Sequence, residues 1–130
     1  MIAKAKLRFI RISPKKVKGV VDLIRGKHIQ EALDILTNLN KRASKIIIDL
    51  LNSAINNAKQ VGQNVNDLYV SKIIVNKGPF LKRYRAAAFG RAGLLRRRLS
   101  HIELELDRIN FEKEKTESTS KEEDKKSKDK

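Results

Sequence analysis

The sequence of 130 residues contains no cysteine and no tryptophan. Without cysteine the chain can form neither a disulfide scaffold nor a thiolate metal site, which excludes a disulfide-rich secreted protein. No apolar run approaches the roughly 18 residues that a membrane-spanning helix needs, and no apolar signal-peptide core follows the basic residues at the start. A chain of this length has room for one hydrophobic core. We therefore expect one soluble domain in a reducing compartment.

Acidic residues are absent from two long segments of the chain. Residues 1–20 contain seven Lys and Arg, and residues 71–100 contain nine, without a single Asp or Glu. Residues 21–70 are nearly neutral, with six basic and five acidic side chains, and the formal net charge of the whole chain is +15. An ordinary solvated surface mixes both signs, whereas acid-free segments repel themselves unless an anionic partner neutralises them. The charge pattern predicts a polyanionic partner, either a nucleic acid or an anionic membrane surface.

The last 21 residues have a different composition. Residues 110–130 contain seven Lys and seven acidic side chains, and Phe111 is their only large apolar residue. Such a segment buries too little apolar surface to offset the entropy lost on ordering. We predict one folded domain over residues 1–109, which contains both acid-free segments and binds the polyanion, and a disordered charged tail over residues 110–130.

Hydrophobic periodicity predicts an α+β fold in which three helices pack on a small antiparallel sheet. Residues 2–12 alternate between apolar and basic, which indicates a half-buried strand with a basic outer face. The apolar side of this strand comprises Ala3, Ala5, Leu7 and Phe9. Helices are predicted from a Ser13 cap to Gly26, over residues 29–39, and from an Asn40 cap to near Gly62. Strand patterns follow from Leu68 and over residues 99–106.

A long hairpin is predicted over residues 70–106. If residues 70–83 pair with residues 93–106, each limb is about 14 residues, or roughly 45 Å long. Since a small domain is narrower than that, part of the hairpin must project. An isolated two-stranded hairpin is marginally stable in water, and the basic charge weakens it further. We expect the projection to become ordered against its ligand.

Three of the six aromatic residues lie in the projection, interleaved with basic ones. Phe80, Tyr84 and Phe89 alternate with Lys82, Arg83, Arg85 and Arg91. Aromatic rings stack on unpaired bases, and Arg guanidinium groups bind phosphates through two parallel hydrogen bonds, a combination suited to folded RNA. A recognition helix or paired basic arms, which duplex DNA favours, are not evident. RNA is therefore favoured over DNA as the partner, and a DNA-compacting protein remains an alternative.

Residues suited to catalysis are few. His28 is predicted at a helix entry and His101 on a strand, without the further ligands that a metal site needs. Ser100 and His101 are adjacent, so in a strand they point to opposite faces and form no catalytic dyad. Glu103 and Glu105 share a face, where solvent exposure or an ion pair with a nearby Arg is expected. We predict no enzyme, no metal and no cofactor; a small RNA-processing enzyme is the alternative that a convergent acid or His cluster would support.

The candidate RNA-binding residues are the basic residues of the two acid-free segments, with the exception of Lys72. They are Lys4, Lys6, Arg8, Arg11, Lys15, Lys16, Lys18, Lys77, Lys82, Arg83, Arg85, Arg91, Arg96, Arg97 and Arg98.

Several separated motifs resemble the bacterial-type large-subunit ribosomal protein L-twenty-two family, in the family order and over residues 3–107. They are Ile12-Ser13-Pro14-Lys15-Lys16-Val17, Asp22-Leu23-Ile24-Arg25-Gly26-Lys27, Leu51-Asn52-Ser53-Ala54-Ile55-Asn56-Asn57-Ala58, Asp67-Leu68-Tyr69-Val70, Gly78-Pro79, Leu81-Lys82-Arg83, Gly90-Arg91-Ala92 and Ser100-His101-Ile102. The chain departs from the family pattern at Ala86 and Ala87, where the family usually carries Pro and Arg.

The resemblance implies a structural protein of the large ribosomal subunit in the cytoplasm or in an organelle. Its partners would be large-subunit rRNA, neighbouring large-subunit proteins and, transiently, the nascent peptide, with no membrane and no homo-oligomer. It also implies that the hairpin lines the nascent-peptide exit tunnel. The implied tunnel-lining tip comprises Tyr84, Arg85, Ala86, Ala87, Ala88, Phe89, Gly90 and Arg91.

Overall fold

The computed structural model describes residues 2–108. The elements are β1 (Ala3–Ile10), α1 (Pro14–Ile24), α2 (Ile29–Asn38), α3 (Arg42–Gln60), a 3-10 turn (Val65–Asp67), β2 (Leu68–Ala86), a second 3-10 turn (Ala88–Gly90) and β3 (Ala92–Arg108). The predicted tail over residues 110–130 lies outside the described residues. Within residues 2–108, no helix has the length and apolar character needed to cross a membrane.

Three helices pack on a three-stranded antiparallel sheet, which confirms the predicted fold class. The strand order is β1-β3-β2, so the last strand lies in the centre. Alternate residues of β3 (Ile102, Leu104 and Leu106) are buried together with the apolar sides of the helices, whereas the residues between them are partly exposed. The core thus lies between the helices and one face of the sheet. No element of residues 2–108 packs on the other face, which we call the open face.

The helices follow the predicted apolar periodicity. In α1 the four buried residues recur at the spacing of one helix face, and in α3 the buried stripe runs the length of the helix. These residues are Val17, Val20, Val21 and Ile24 in α1, and Ala43, Ser44, Ile47, Leu50, Leu51, Ala54, Ile55 and Ala58 in α3. Gly26 has φ of 75°, which confirms the left-handed conformation predicted for it after α1. Gly62, near which α3 was predicted to end, has φ of 76° and takes the same conformation.

The two predicted side-chain caps are wrong. Ser13 precedes α1, but its hydroxyl makes no capping hydrogen bond; its carbonyl oxygen accepts the N–H groups of Lys16 and Val17 at 3.0 and 3.3 Å. Asn40 does not cap α3, because the Lys41 N–H donates to the carbonyl oxygen of Leu39 at 2.8 Å. This turn shifts the helix start by one residue and makes Lys41 the cap residue.

The alternation of β1 predicted that Phe9 lies on the buried side of the strand, but Phe9 is exposed. The pairing with β3 shifts between Leu7 and Ile10, because three residues of β1 span two residues of β3. Phe9 takes up the extra length with φ of 59°, and its side chain is 60% exposed. Ile10 takes the buried position instead. A left-handed conformation in a bulky residue costs roughly 1–3 kcal/mol.

The hairpin has the predicted register at its base only. Val70 pairs with Leu106 as expected, but β2 contains an extra residue before Lys72 and another before Phe80. Arg83 consequently pairs with Leu95 instead of Gly93, and the ladder continues to the last pair, Ala86 with Ala92.

Local chemistry explains both irregularities of β2. At the first, the Ser71 hydroxyl donates to the carbonyl oxygen of Glu105 at 3.1 Å. At the second, Pro79 has no N–H to give to the ladder, and a strand accommodates proline at such a bulge. Gly78 lies close to β3 there, since a Cβ atom at this position would be 3.1 Å from the carbonyl carbon of Leu99.

Beyond the second irregularity the hairpin leaves the domain, as predicted. Every residue of the segment 79–98 is exposed except Leu81, which is partly buried, and none belongs to the core. The projection is a two-stranded ribbon in which residues 80–86 pair with residues 92–98. Its side chains are therefore available to a partner on both faces.

Candidate nucleic-acid interface

A groove of about 620 Å³ lies where the base of the projecting ribbon meets the N-terminal ends of α1 and α3. As far as residues 2–108 contribute to it, its charged lining consists of seven cations and no carboxylate: Arg11, Lys16, Arg42, Arg83, Arg96, Arg97 and Arg98. Six of these seven are candidate residues from the sequence. The fold thus brings the two acid-free segments, which are separated by 50 residues of chain, to the walls of one groove. We call this feature the cationic groove.

Arg42 is the member of the cationic groove that the sequence analysis missed. It lies in the nearly neutral segment 21–70, so its charge is cancelled in a count over that segment. The local sequence Lys41-Arg42-Ala43-Ser44-Lys45 has three cations and no acid, and this shorter window was the available signal. Arg42 is the first residue of α3.

Both helices that reach the cationic groove begin with cations. The first turns of α1 and α3 contain no acidic residue. A cation at a helix N-terminus opposes the helix dipole and costs roughly 0.3–1 kcal/mol at low ionic strength. Lys15 and Lys18 are exposed near the start of α1 but do not line the groove, whereas Lys16 does. The helix ends therefore add electrostatic attraction for an anion at some cost to the fold.

Like charges face one another across the ribbon. Lys82 pairs directly with Arg96, an arrangement that destabilises an antiparallel ladder. Arg96 also lies over the ring of Phe80, with the guanidinium carbon 5.3 Å from the ring centroid. Tyr84 is on the same face, two residues beyond Lys82, and is 71% exposed. This ribbon face thus combines stacked and free aromatic rings with cations that form no ion pair among residues 2–108.

The turn at the end of the ribbon comprises residues 87–91. The N–H of Ala87 donates to the carbonyl oxygen of Arg91 at 2.8 Å, and Phe89 adopts φ of 59° with its side chain 97% exposed. Of the predicted tip residues, 84–86 belong to the paired part of β2. Lys77 is exposed at the base, opposite Ser100, and does not line the cationic groove.

Lys4 and Lys6 form ion pairs with β3 on the open face of the sheet. The Nζ atom of Lys4 is 2.7 Å from Oε1 of Glu105, and Nζ of Lys6 is 3.2 Å from Oε1 of Glu103. The hydrogen bonds with these lysines lower the pKa of both carboxyls, and the bond to Glu105 raises the pKa of Lys4. The partners of the two carboxylates are therefore lysines rather than the expected arginine, and the two lysines are less available to a polyanion than the groove cations.

The residues examined for catalysis have separate structural partners. The Ser100 hydroxyl is buried and donates to the carbonyl oxygen of Ile12 at 2.9 Å, and Nδ1 of His101 accepts the N–H of Phe9 at 2.9 Å. His28 is the residue preceding α2. Among residues 2–108, no group of three or more His, Asp or Glu side chains is placed to hold a metal ion.

Known proteins are similar in sequence to this chain over most of its length. A family model described as Ribosomal protein L22p/L17e matches residues 5–107. Large ribosomal subunit protein uL22 of Halothermothrix orenii is 55% identical over 103 residues, which cover 78% of this chain and 91% of that protein. The protein of the same name from Leptospira biflexa is 48% identical over 111 residues, which cover 84% of this chain and 96% of that protein. The chain therefore belongs to the ribosomal protein L22p/L17e family, and it is accordingly a structural ribosomal protein and not an enzyme.

Proposed function

We propose that this chain is a structural constituent of the large ribosomal subunit that binds rRNA, supports subunit assembly, and extends its hairpin along the nascent-peptide exit tunnel. The observation that supports rRNA binding is the cationic groove, which seven cations line and to which the described residues contribute no carboxylate. Its relatives are named as proteins of the large ribosomal subunit. The partners we propose are large-subunit rRNA, neighbouring large-subunit proteins and the passing nascent peptide, in the cytoplasm.

The energetics of the cationic groove favour a polyanion. The seven cations repel one another, and each phosphate that approaches them replaces repulsion by attraction and releases condensed counterions. The arginines also hold phosphate oxygens with two parallel hydrogen bonds, which fixes the orientation of the nucleic acid as well as its affinity.

The ribbon suits a narrow channel between RNA segments. It is two strands wide, and its seven paired positions extend roughly 23 Å at about 3.3 Å per residue. The like-charged pair of Lys82 and Arg96 destabilises the isolated ribbon, and a phosphate beside this pair would relieve the repulsion. Small residues at its end (Ala86, Ala87, Ala88 and Gly90) let the backbone approach a crowded wall closely.

The test is binding of the full chain to protein-free large-subunit rRNA at rising salt. Reversing Arg96, Arg97 and Arg98 to Glu should lower the affinity and reduce the slope of log K against log salt by about 2 to 3, since each phosphate contact contributes roughly 0.7–0.9. A triple reversal of Lys45, Lys59 and Lys72, which lie outside the cationic groove, changes the net charge equally. It should leave most of the slope intact.

Two results would overturn the proposal. Equal loss of slope in both triple variants would mean that only net charge matters and that the groove is not a binding site. Binding to duplex DNA as tightly as to rRNA at matched salt, without sedimentation with large subunits, would favour the DNA-compacting alternative.

A further inference from the structure

Phe9 is an exposed aromatic ring held in an unfavourable backbone conformation on the open face of the sheet. It lies at the irregularity of β1, with φ of 59° and 60% of its side chain exposed. Glycine would adopt this φ without strain. Packing inside the domain does not explain the ring, because Ile10 takes the buried position at this point of the strand.

His101 fixes both the backbone and the ring of Phe9. The N–H of Phe9 donates to Nδ1 of His101 at 2.9 Å. The two rings meet edge to face, with centroids 4.8 Å apart and an interplanar angle of 88°. A T-shaped contact uses the edge of one ring and leaves a face of the phenyl group accessible. The ring is therefore held in place before any partner arrives.

A groove of about 240 Å³ lies beside this pair of rings. Besides Phe9 and His101, its lining includes Arg8 and Asn76, the residue directly opposite His101 on β2. Asn76 is exposed and its carboxamide can donate to and accept from the edge of a base. Arg8 is exposed and, among residues 2–108, takes part in none of the ion pairs.

The acidic residue that lines this second groove is already paired. Glu103 has Lys6 at 3.2 Å and Lys4 at 3.7 Å, so its charge is compensated within the protein. Arg8 adds a cation that pairs with no carboxylate in the described part of the chain. The local field therefore admits a phosphate next to the ring.

We propose that Phe9 is a stacking platform for one unpaired RNA base, with Asn76 at the base edge and Arg8 at the adjoining phosphate. The inference rests on the proposed binding of rRNA and adds a second contact on the sheet face opposite the helices. Stacking of unstacked bases on aromatic side chains that a sheet presents is a common mode of single-stranded RNA recognition. This role explains the strained backbone of Phe9, which turns the ring outward toward the base. The contacts with His101 keep the ring from packing against the sheet.

The test compares Phe9→Gly, Phe9→Leu and Phe9→Tyr in the full chain with protein-free large-subunit rRNA as the probe. Loss of one base stack should weaken binding about 5- to 150-fold in the Gly and Leu variants. Phe9→Tyr keeps the ring and should bind within about twofold of the original chain. The salt slope should stay the same in all three, because no phosphate contact is removed. Val61→Ala, at a residue that is 62% exposed after α3, is the matched control.

Thermal unfolding separates stacking from a structural role. Phe9→Gly relieves the left-handed strain, so its unfolding midpoint should equal or exceed that of the original chain while its RNA affinity falls. Irradiation of the complex at an RNA-absorbing wavelength should also crosslink the peptide that contains Phe9 to one nucleotide. A structural role for the ring predicts the reverse for Phe9→Gly, with a lower midpoint and no crosslink in the original chain.

Each remaining outcome decides between the two proposals. If the original chain binds rRNA and the Gly and Leu variants bind equally well, stacking is wrong and the proposed function stands. If those variants bind free rRNA normally but fail to join large subunits, Phe9 contacts a neighbouring protein and the stacking proposal is overturned. If the original chain itself binds rRNA no more tightly than duplex DNA at matched salt, the proposed function fails.

Discussion

Replacing Arg42 by Gln tests whether the cationic groove acts as one site. Arg42 is the groove cation contributed by α3, and it comes from neither acid-free segment. If the groove holds RNA, loss of this cation should reduce binding as much as loss of a groove cation on the hairpin. If only the acid-free segments bind, Arg42→Gln should have no effect.

The magnitude follows from counterion release. Each phosphate contact contributes about 0.7–0.9 to the salt slope, so seven groove cations would contribute about 5 to 6. Removal of Arg42 should lower the slope by about 0.7–0.9. At about 0.1 M salt, one decade below a reference of about 1 M, the affinity should fall roughly five- to eightfold, and the difference should vanish near 1 M.

The stability of the fold should change in the opposite direction. Arg42 is the first residue of α3, where a cation opposes the helix dipole. Arg42→Gln should therefore raise the free energy of unfolding by up to about 1 kcal/mol at low ionic strength. Lys59→Gln is the matched control, because Lys59 is an exposed cation in the last turn of the same helix, where its charge is favourable. It should lower stability slightly and leave RNA affinity unchanged.

The assay is titration of full-chain protein into protein-free large-subunit rRNA at several salt concentrations, with thermal unfolding of each variant alone. A slope equal to that of the original chain in Arg42→Gln would refute the grouping of α3 with the hairpin cations. Equal slope losses in Arg42→Gln and Lys59→Gln would refute a localised site altogether, since the two residues lie at opposite ends of α3.

Two further perturbations follow from the fold. Replacing Ala86–Ala92 by an Asn-Gly turn joins the paired residues Arg85 and Gly93 and removes no core residue, so the thermal midpoint should change by only a few degrees and the protein should still sediment with large subunits; loss of sedimentation would make the tip an assembly element. The lowered pKa of Glu103 and of Glu105 means that their ion pairs stabilise the fold above about pH 4.5 and that this contribution is lost as pH falls through the folded-state pKa. The raised pKa of Lys4 keeps its contribution up to pH 10.5, and it is lost above that, as pH rises through the folded-state pKa. Replacing both Glu residues by Gln should flatten the acid limb of thermal unfolding and strengthen rRNA binding, because it releases Lys4 and Lys6; an unchanged acid limb would show that these pairs contribute nothing to stability.

The sequence predicted what depends on local periodicity. The apolar spacing of α1 and α3 and the glycines after them, Gly26 and Gly62, specify helices through contacts a few residues apart along the chain. The projection of the ribbon was predicted from the length of the two hairpin limbs alone, since strands this long exceed the width of a small domain. These features need no knowledge of which strand lies beside which.

Features set by pairing between distant segments were missed. The extra residue at Phe9 is defined only against β3, so its outward turn is invisible in the alternation of β1. The irregularity at Gly78 and Pro79 shifts the register of the ribbon because proline has no N–H to donate to the opposite strand. The size of this shift is defined only by the pairing with β3. Arg42 joins the cationic groove because α3 starts beside the hairpin base, which no charge count over the chain reveals.

The central strand has no extra residue against either neighbour, although its burial alternates only from Ser100 to Leu106. All three irregularities of the sheet add their extra residue to β1 or β2, and none adds one to β3. The side of β3 that carries Leu104 and Ile102 beneath the helices therefore continues, without a break in phase, to Arg98 and Arg96 beyond them. A one-residue insertion in β3 between Arg98 and Ile102 would turn one of these two sets to the opposite side of the strand. Either the hydrophobic residues would no longer face the helices, or the cations would no longer face the cationic groove. Insertions in β2 meet a strand that already accommodates extra residues, so we expect chain length to be far more constrained in β3 than in β2.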